Sequence, residues 1–348
     1  MLKGLSLQEL AKKIEANRDL KRDLLADTST LTMQVDGDAK TALEVAGEGR
    51  FPILPLAHGQ IGARLQIPTK YYDRMATTAP DLLATNVNAW FHQAPERRML
   101  RTLGGDLRAF LSNRYLRTEN EEIAGVALPV LAELPNVQVP SCEVTDRRLY
   151  IHFTVPTVQA EVRVGDVVQA GGIISNSEVG CGAVSVSGLL WRLVCKNGMK
   201  TNDAYRRAHI GREVQDDGEL EWADDTRRSD DQTVLLKVRD MVRAVIDEGR
   251  FRAQIDKLKE LAGVKVTGHP ERAVEVLAAK VGASEAERGG ILRALIEGGD
   301  LSAWGLINAV TAQAHDARDY DRAVELEAAG GAMANMSSAE WRRILEAV

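Results

Sequence analysis

The sequence predicts an α+β protein: an antiparallel sheet of hairpins crossed by helices, followed by a helical C-terminal region. Three observations carry that expectation. Between residues 149 and 199, short β-branched runs alternate with Gly, Asn, Asp and Pro, the punctuation of a compact sheet. Two-residue turn signals recur at Asp36-Gly37, Gly104-Gly105, Asp146-Arg147 and Asn197-Gly198. Beyond residue 231, apolar residues return at helical spacing, as in Val234, Val238, Met241, Val242 and Val245.

In chain order, Ser6 and Glu9 form a capping box that opens a helix expected to reach about residue 26. Residues 28–45 alternate about Asp36-Gly37 as a hairpin. The run from Phe51 to Pro55 is extended, because each proline disfavours helix in the residue before it. Three helical patterns follow, at 56–65, at 69–78 with Thr69 as cap, and at 81–92 behind Pro80. RRMLRTL-GG-DLRAFLSN, residues 97–113, is a hairpin. Residues 119–133 carry a helical stripe of Ile123, Ala127, Val130 and Leu131. Residues 137–144 and 149–155 pair, and the central sheet runs on to Met199. Residues 215–231 form an acidic linker that separates an α+β core (51–214, preceded by the 1–50 helix and hairpin) from a helical domain at 232–348. There, Asp300 is expected to cap the helix carrying Trp304. The helix from Tyr320 to Ala329 is expected to stop at Gly330-Gly331.

Composition narrows the function. The 348 residues suffice for a full core, and 45% are hydrophobic, an ordinary share for a soluble globular chain. No apolar run is long enough to span a membrane, and the first residues read as an amphipathic helix without a signal-peptide core. Three cysteines give neither a disulfide framework nor a metal pair, which suits a reducing cytoplasm. The net charge of −6 is unevenly spread. Arg97, Arg98, Arg101, Arg108, Arg114 and Arg117 face only Glu96 and Asp106 between residues 92 and 118. Arg192, Lys196, Lys200, Arg206, Arg207 and Arg212 face only Asp203. Such patches matter more to a polyanion than the sum does. The acidic stretch that follows is read either as a solvated linker or as an electrostatic lid over the basic surface.

No phosphate-binding loop, strand-linked GxGxxG, HExxH or Cys/His pair at metal spacing occurs, so no cofactor or metal is expected. The polar loop Asn176, Ser177, Glu178, Val179, Gly180, Cys181, Gly182 is the cluster worth testing for nucleophilic chemistry. Its simpler reading is a polar turn with a small buried thiol. The basic residues read as phosphate contacts, with Tyr115 and Tyr205 stacking on bases. The simpler reading for them is a solvated face paired with Glu119, Glu121 and Glu122. Trp191, inside LLWRLV, reads as core.

Several blocks in order, LPLAHGQIGARLQIPTKYYDRM, APDLLATNVNAWF, PERRMLRTLGGDLRAFLSNRY, ISNSEVGCGAVSVSGLLWRLVCKNGM and AWGLINAVTAQAHDARDYDRAVELEAAGG, resemble the phage/plasmid-like family called domain of unknown function 932. The resemblance covers roughly residues 51–331 and rests on Arg101, Arg108, Ser112, Arg114, Tyr115, Asn176, Ser177, Glu178, Gly180, Gly182, Cys195, Asn197 and Gly198. It implies a mobile-element setting and assigns no catalytic residue. The architecture is also similar to phage single-strand annealing proteins of the RecT, Redβ and Erf kinds, an analogy of fold alone. The expectation is therefore a cytoplasmic, oligomeric protein that binds nucleic acid, single-stranded DNA above all, with both basic stretches lining one groove. The alternatives are an oligomeric interaction protein and an enzyme built on Ser177, Glu178 and Cys181.

Overall fold

The structure, a computed structural model, describes residues 3–38, 40–207 and 224–347. Helix α1 (Leu7–Arg18) opens with the expected capping box of Ser6 and Glu9. It ends eight residues before its expected limit, and β1 (Lys21–Asp27) follows. The sequence there fits either state, since Leu20, Leu24 and Leu25 suit a helical stripe. Long-range pairing decides: Leu24 lies across from Leu100 and is buried, while Leu25 points out half exposed. β2 (Leu31–Val35), β3 (Thr41–Val45) and β4 (Gly49–Pro52) form an antiparallel sheet about the expected turn. α2 (Pro55–Arg64), α3 (Thr69–Thr78) and α4 (Pro80–Gln93) cover it. Thr69 is the first helical residue and Pro68 takes the cap position, so the expected threonine cap is corrected.

β5 (Arg97–Leu103) and β6 (Asp106–Ser112) form the expected hairpin and join β1 in a small sheet of order β1-β5-β6. After α5 (Asn120–Glu133) comes the large antiparallel sheet. It consists of β7 (Gln138–Val144), β8 (Leu149–Arg163), β9 (Asp166–Asn176), β10 (Val184–Arg192) and β11 (Asn197–Arg207), paired in sequence order. Among the described residues seven α-helices follow: α6 (Asp224–Ala244), α7 (Glu248–Gly263), α8 (Pro270–Lys280), α9 (Glu285–Gly298), α10 (Ala303–Ala312), α11 (Tyr320–Ala334) and α12 (Ser338–Leu345). The α+β class is as expected. Among the described residues no helix is long and apolar enough to cross a membrane.

The helical region does not fold apart from the sheet. Its largest core joins Val168, Ala170, Leu190 and Met199 of the large sheet to Phe251, Ile255, Trp304, Ile307 and Leu326 of the helices. Val238 and Val242 of α6 pack with Ile151, Phe153 and Val186, and with α1 and α5. The expected boundary at 215–231 is therefore no boundary in packing. Of that stretch, α6 takes the residues from Asp224 on, and 208–223 lie outside the described residues, as does Arg212.

Two caps differ from expectation. Ser302 caps α10, its hydroxyl accepting from the Gly305 N–H, while Asp300 pairs with Arg163 at 2.8 Å. α11 runs through Gly330-Gly331 instead of stopping. These glycines allow close packing: a Cβ on Gly331 would stand 1.7 Å from the Lys200 carbonyl oxygen, and one on Gly330 would stand 2.3 Å from the Thr311 methyl. α11 also meets the sheet through a buried polar chain. His152 Nε2 lies 3.0 Å from Glu327, and the Tyr320 hydroxyl bridges His152 Nδ1 (3.1 Å) and Ser141 Oγ (2.8 Å). Trp191 is core, as expected.

Candidate nucleic-acid interface

The loop between β9 and β10 docks onto the small sheet and holds the two sheets together. Asn176 Nδ2 donates to the Thr118 carbonyl and to Asn120 Oδ1, both at 2.9 Å. Ser177 Oγ donates to the Arg147 carbonyl (2.8 Å) and accepts from the backbone N–H groups of Val179 and Cys181. Val179 packs with Met99, Ala109 and Leu111. Gly180 has φ +76°, and a Cβ there would also meet Leu111. Gly182 leaves space for Arg148, which donates to the Cys181 carbonyl.

This docking absorbs much of the arginine hairpin. Along β5, Met99 and Arg101 face the loop while Leu100 faces the helices. On β6 the ladder shifts register: Arg101 pairs with Ala109 but Thr102 with Leu107. Arg108 is the extra residue of this β-bulge, and the bulge turns its side chain toward the loop as well. Arg101 is 1% exposed and donates to Asp23 (2.8 Å), to the Glu178 carbonyl (2.8 Å) and to Glu119. Arg108 donates to Glu178 Oε2 at 2.8 Å. Lys21, which sequence reasoning missed, completes the cluster: its ammonium lies 2.9, 2.8 and 2.6 Å from Glu119, Glu121 and Glu178. Those three carboxylates are the described grouping with metal-ligand spacing, and Lys21 supplies the positive charge among them. Glu178, 4% exposed, also accepts from the Asn120 N–H at 2.7 Å. Burial works against its charge, but Arg108 and Lys21 outweigh that and lower its pKa to about 2. Burial likewise opposes the charge on Arg101, and Glu119 and Asp23 overcome it and raise its pKa.

Three expected phosphate contacts, Arg98, Arg101 and Arg108, are therefore corrected to internal roles. Arg98 is largely covered, its guanidinium 4.9 Å above the Phe110 ring. Tyr115 is corrected too. Its hydroxyl donates to the Ser177 carbonyl at 2.7 Å and its ring packs, partly buried, against the cluster of Met99, Ala109, Leu111 and Val179, so it is not free for stacking. The loop does not present a nucleophile. Ser177 is buried with its hydroxyl engaged, and burial raises the pKa of Cys181, where an activated thiol needs it lowered.

The second basic stretch is split between the two ends of the sheet. Arg192 pairs with Asn197 across the β10–β11 ladder, and Val184 pairs with Arg207. Those rungs are about 26 Å apart at about 3.3 Å per residue. Arg192 is also engaged, with Asp166 at 2.5 Å and Trp304 below it. Arg192, Lys196 and Lys200 therefore cannot share one groove with the hairpin, and the single-groove expectation is corrected. Arg206 and Arg207 do reach the loop-bearing end. The side chain of Tyr205 lies outside the described residues.

Strand direction shows what gathers at that end. The β7–β8 turn, the docked loop and the end of β11 all lie there. Arg147 and Arg148 sit in the turn, and Arg206 and Arg207 at the end of β11. Arg114 and Arg117 flank the anchored Tyr115. Arg117 pairs with Asp23 (3.2 Å) and Arg207 with Asp230. Burial and Asp230 raise the pKa of Asp231 against the pull of Arg207 and Arg117, which places these two arginines near one another. Arg114, Arg147 and Arg206 are exposed, and their side chains make no ion pair among the described residues. Arg97 is exposed beside Arg98, at the Ser112 end of the hairpin. Arg147 and Arg148 were not singled out from the sequence, because nothing local sets them apart from any charged turn. Comparison with protein-family models, with curated proteins and with solved structures finds no match to this chain.

Proposed function

We propose that this is a cytoplasmic nucleic-acid-binding protein of a mobile element. It would hold a phosphate backbone at the loop-bearing end of the large sheet, without nucleotide hydrolysis. The supporting observation is the placement of Arg114, Arg147 and Arg206, exposed around the docked loop without ion pairs among the described residues, beside Arg117, Arg148 and Arg207. Arginine on a rigid edge suits bidentate phosphate contact. With Tyr115 withdrawn, the reading rests on phosphates rather than stacking, so affinity is sequence-tolerant and salt-dependent. Single-stranded DNA is the substrate form proposed. Fluorescence anisotropy of a labelled single-stranded oligonucleotide against salt, with duplex as competitor, tests this. The variant carrying Arg114→Ala, Arg147→Ala and Arg206→Ala should bind less tightly, with a log–log salt slope shallower by about 2. An unchanged slope in the folded variant would exclude this surface, and efficient displacement by duplex would exclude the single-strand preference.

A second reading, a self-associating interaction protein, is supported by β1. It is an edge strand with Leu25 half exposed. Two copies paired antiparallel about Leu24 and Leu25 would set Arg22 against Asp27 at both ends, a charge-complementary register. Light scattering of Leu25→Lys against the parent tests it: a parent oligomer that survives the substitution argues against this edge.

A further inference from the structure

A cavity of about 260 Å³ opens where the α6–α7 junction meets β9, β10 and β11 of the large sheet. Gly171 and Gly188 bring bare backbone into its lining. Gly188 sits where the β10–β11 ladder is irregular, Ser187 pairing with Asp203 and Leu189 with Lys200. A Cβ on Gly188 would stand 2.5 Å from Thr201 Oγ1, so glycine there lets the hydroxyl lie across the strand. Bulges and glycines inside a strand mark places where a backbone is approached closely.

Asn335 lines the cavity with its amide engaged by Lys257 Nζ and the Gly331 carbonyl, both at 2.9 Å, and three further neutral or cationic polar side chains border it: Thr201, Arg250 and Gln254. None of these three makes a side-chain hydrogen bond or ion pair among the described residues, although this chain pairs most of its arginines. Arg250 and Gln254 are one helical turn apart on α7 and share a face. Leu190 and Phe251 supply apolar wall. Asp247 also lines the cavity, but it caps α7, its Oδ1 accepting from the Arg250 N–H at 2.7 Å. The site therefore offers one unpaired cation, two neutral hydrogen-bonding groups and an apolar side, with a carboxylate nearby that discourages a multiply charged head. A few convergent polar groups in a largely preformed concavity is the usual make-up of a small-ligand site.

We propose that this cavity binds a small branched aliphatic monocarboxylate. The carboxylate takes the Arg250 fork and the Gln254 amide, Thr201 adds a hydroxyl, and the tail lies against Leu190 and Phe251. The inference is independent of the nucleic-acid reading. Its test is calorimetric titration of the full chain with 4-methylpentanoate, and with 4-methylpentanamide as the uncharged counterpart. The acid is expected to bind with Kd below about 1 mM, and the amide to bind at least about tenfold more weakly. Arg250→Gln changes an exposed residue and should leave the circular dichroism spectrum unchanged while weakening the acid about tenfold or more. Thr201→Val should weaken it less. Equal binding of acid and amide, equal binding by Arg250→Gln, or no binding of the acid at about 1 mM would each overturn the proposal.

Discussion

Glu178 ties the two sheets into the charge network, because its two oxygens answer to Lys21, Arg108 and a helix N–H at once. Replacing it with Gln leaves the covered Arg108 without its carboxylate partner and Lys21 with two of its three, and should cost about 3 kcal/mol in urea unfolding. Its pKa near 2, against an ordinary 4.5, sets an acid limit. The stabilisation is complete above about pH 5 and disappears as pH falls through 2. Glu178→Gln should flatten the acid limb of the stability profile between those values. His58 adds a second dependence. Burial lowers its pKa to about 4, and its ring is held between Thr41 Oγ1 (2.8 Å) and the Tyr72 hydroxyl (2.9 Å). The unfolded chain takes up that proton near pH 6.5, so stability also declines as pH falls from about 6.5 to 4. His58→Gln should remove this part of the decline in the same titration. At this scale the sequence was a partial guide. It offered Glu119, 18 positions from Arg101, as a partner for the arginines, but not Asp23 or the Glu178 carbonyl, which lie 78 and 77 positions away. Spacing cannot reveal a pairing that the fold alone creates.

Glycine pairs separate local preference from packing at the scale of the element. Gly330-Gly331 looked like a helix stop, and the helix continues, because the two bare α-carbons let α11 lie against β11. Gly331→Ala should therefore destabilise by more than about 3 kcal/mol despite the better helix propensity of alanine. α9 supplies the control. A Cβ on Gly289 meets nothing within 4 Å, whereas one on the adjacent Gly290 would stand 2.1 Å from Gln313. Gly289→Ala should raise stability by about 0.5–1 kcal/mol, and Gly290→Ala should lower it, in parallel thermal melts. The hairpin of β5 and β6 was readable because alternation and a Gly-Gly turn are local facts. The bulge at Arg108 was not, because a bulge shows only once the partner strand is in register. β1 was misread as helix for the same reason: its partner begins seventy residues later.

Over the whole molecule, the helices after residue 224 complete the large sheet instead of forming a unit of their own. Val168, Leu190 and Met199 are covered by them, and the polar chain from Ser141 through Tyr320 and His152 to Glu327 closes only when α11 is in place. Calorimetry should show one transition, and a chain ending at Arg207 should expose the sheet and aggregate. Two resolved transitions would mean that the helical part melts separately. The low-apolar, acidic stretch suggested a hinge between domains. Composition reports how a segment is solvated, and says little about whether the parts on either side of it share a core.

The docked loop also imposes an order on the synthesis of the chain. The strands of the small sheet are complete once Ser112 has left the ribosome, but the carboxylate shared by Lys21 and Arg108 arrives only with Glu178. At roughly 5–20 residues per second, that wait lasts about 3–13 s. During it the nascent hairpin carries Arg108 without the carboxylate it will pair with, while Arg101 already has Asp23 and soon gains Glu119. For those seconds, beside the polyanionic RNA of the ribosome, the hairpin presents a cation that the finished protein covers.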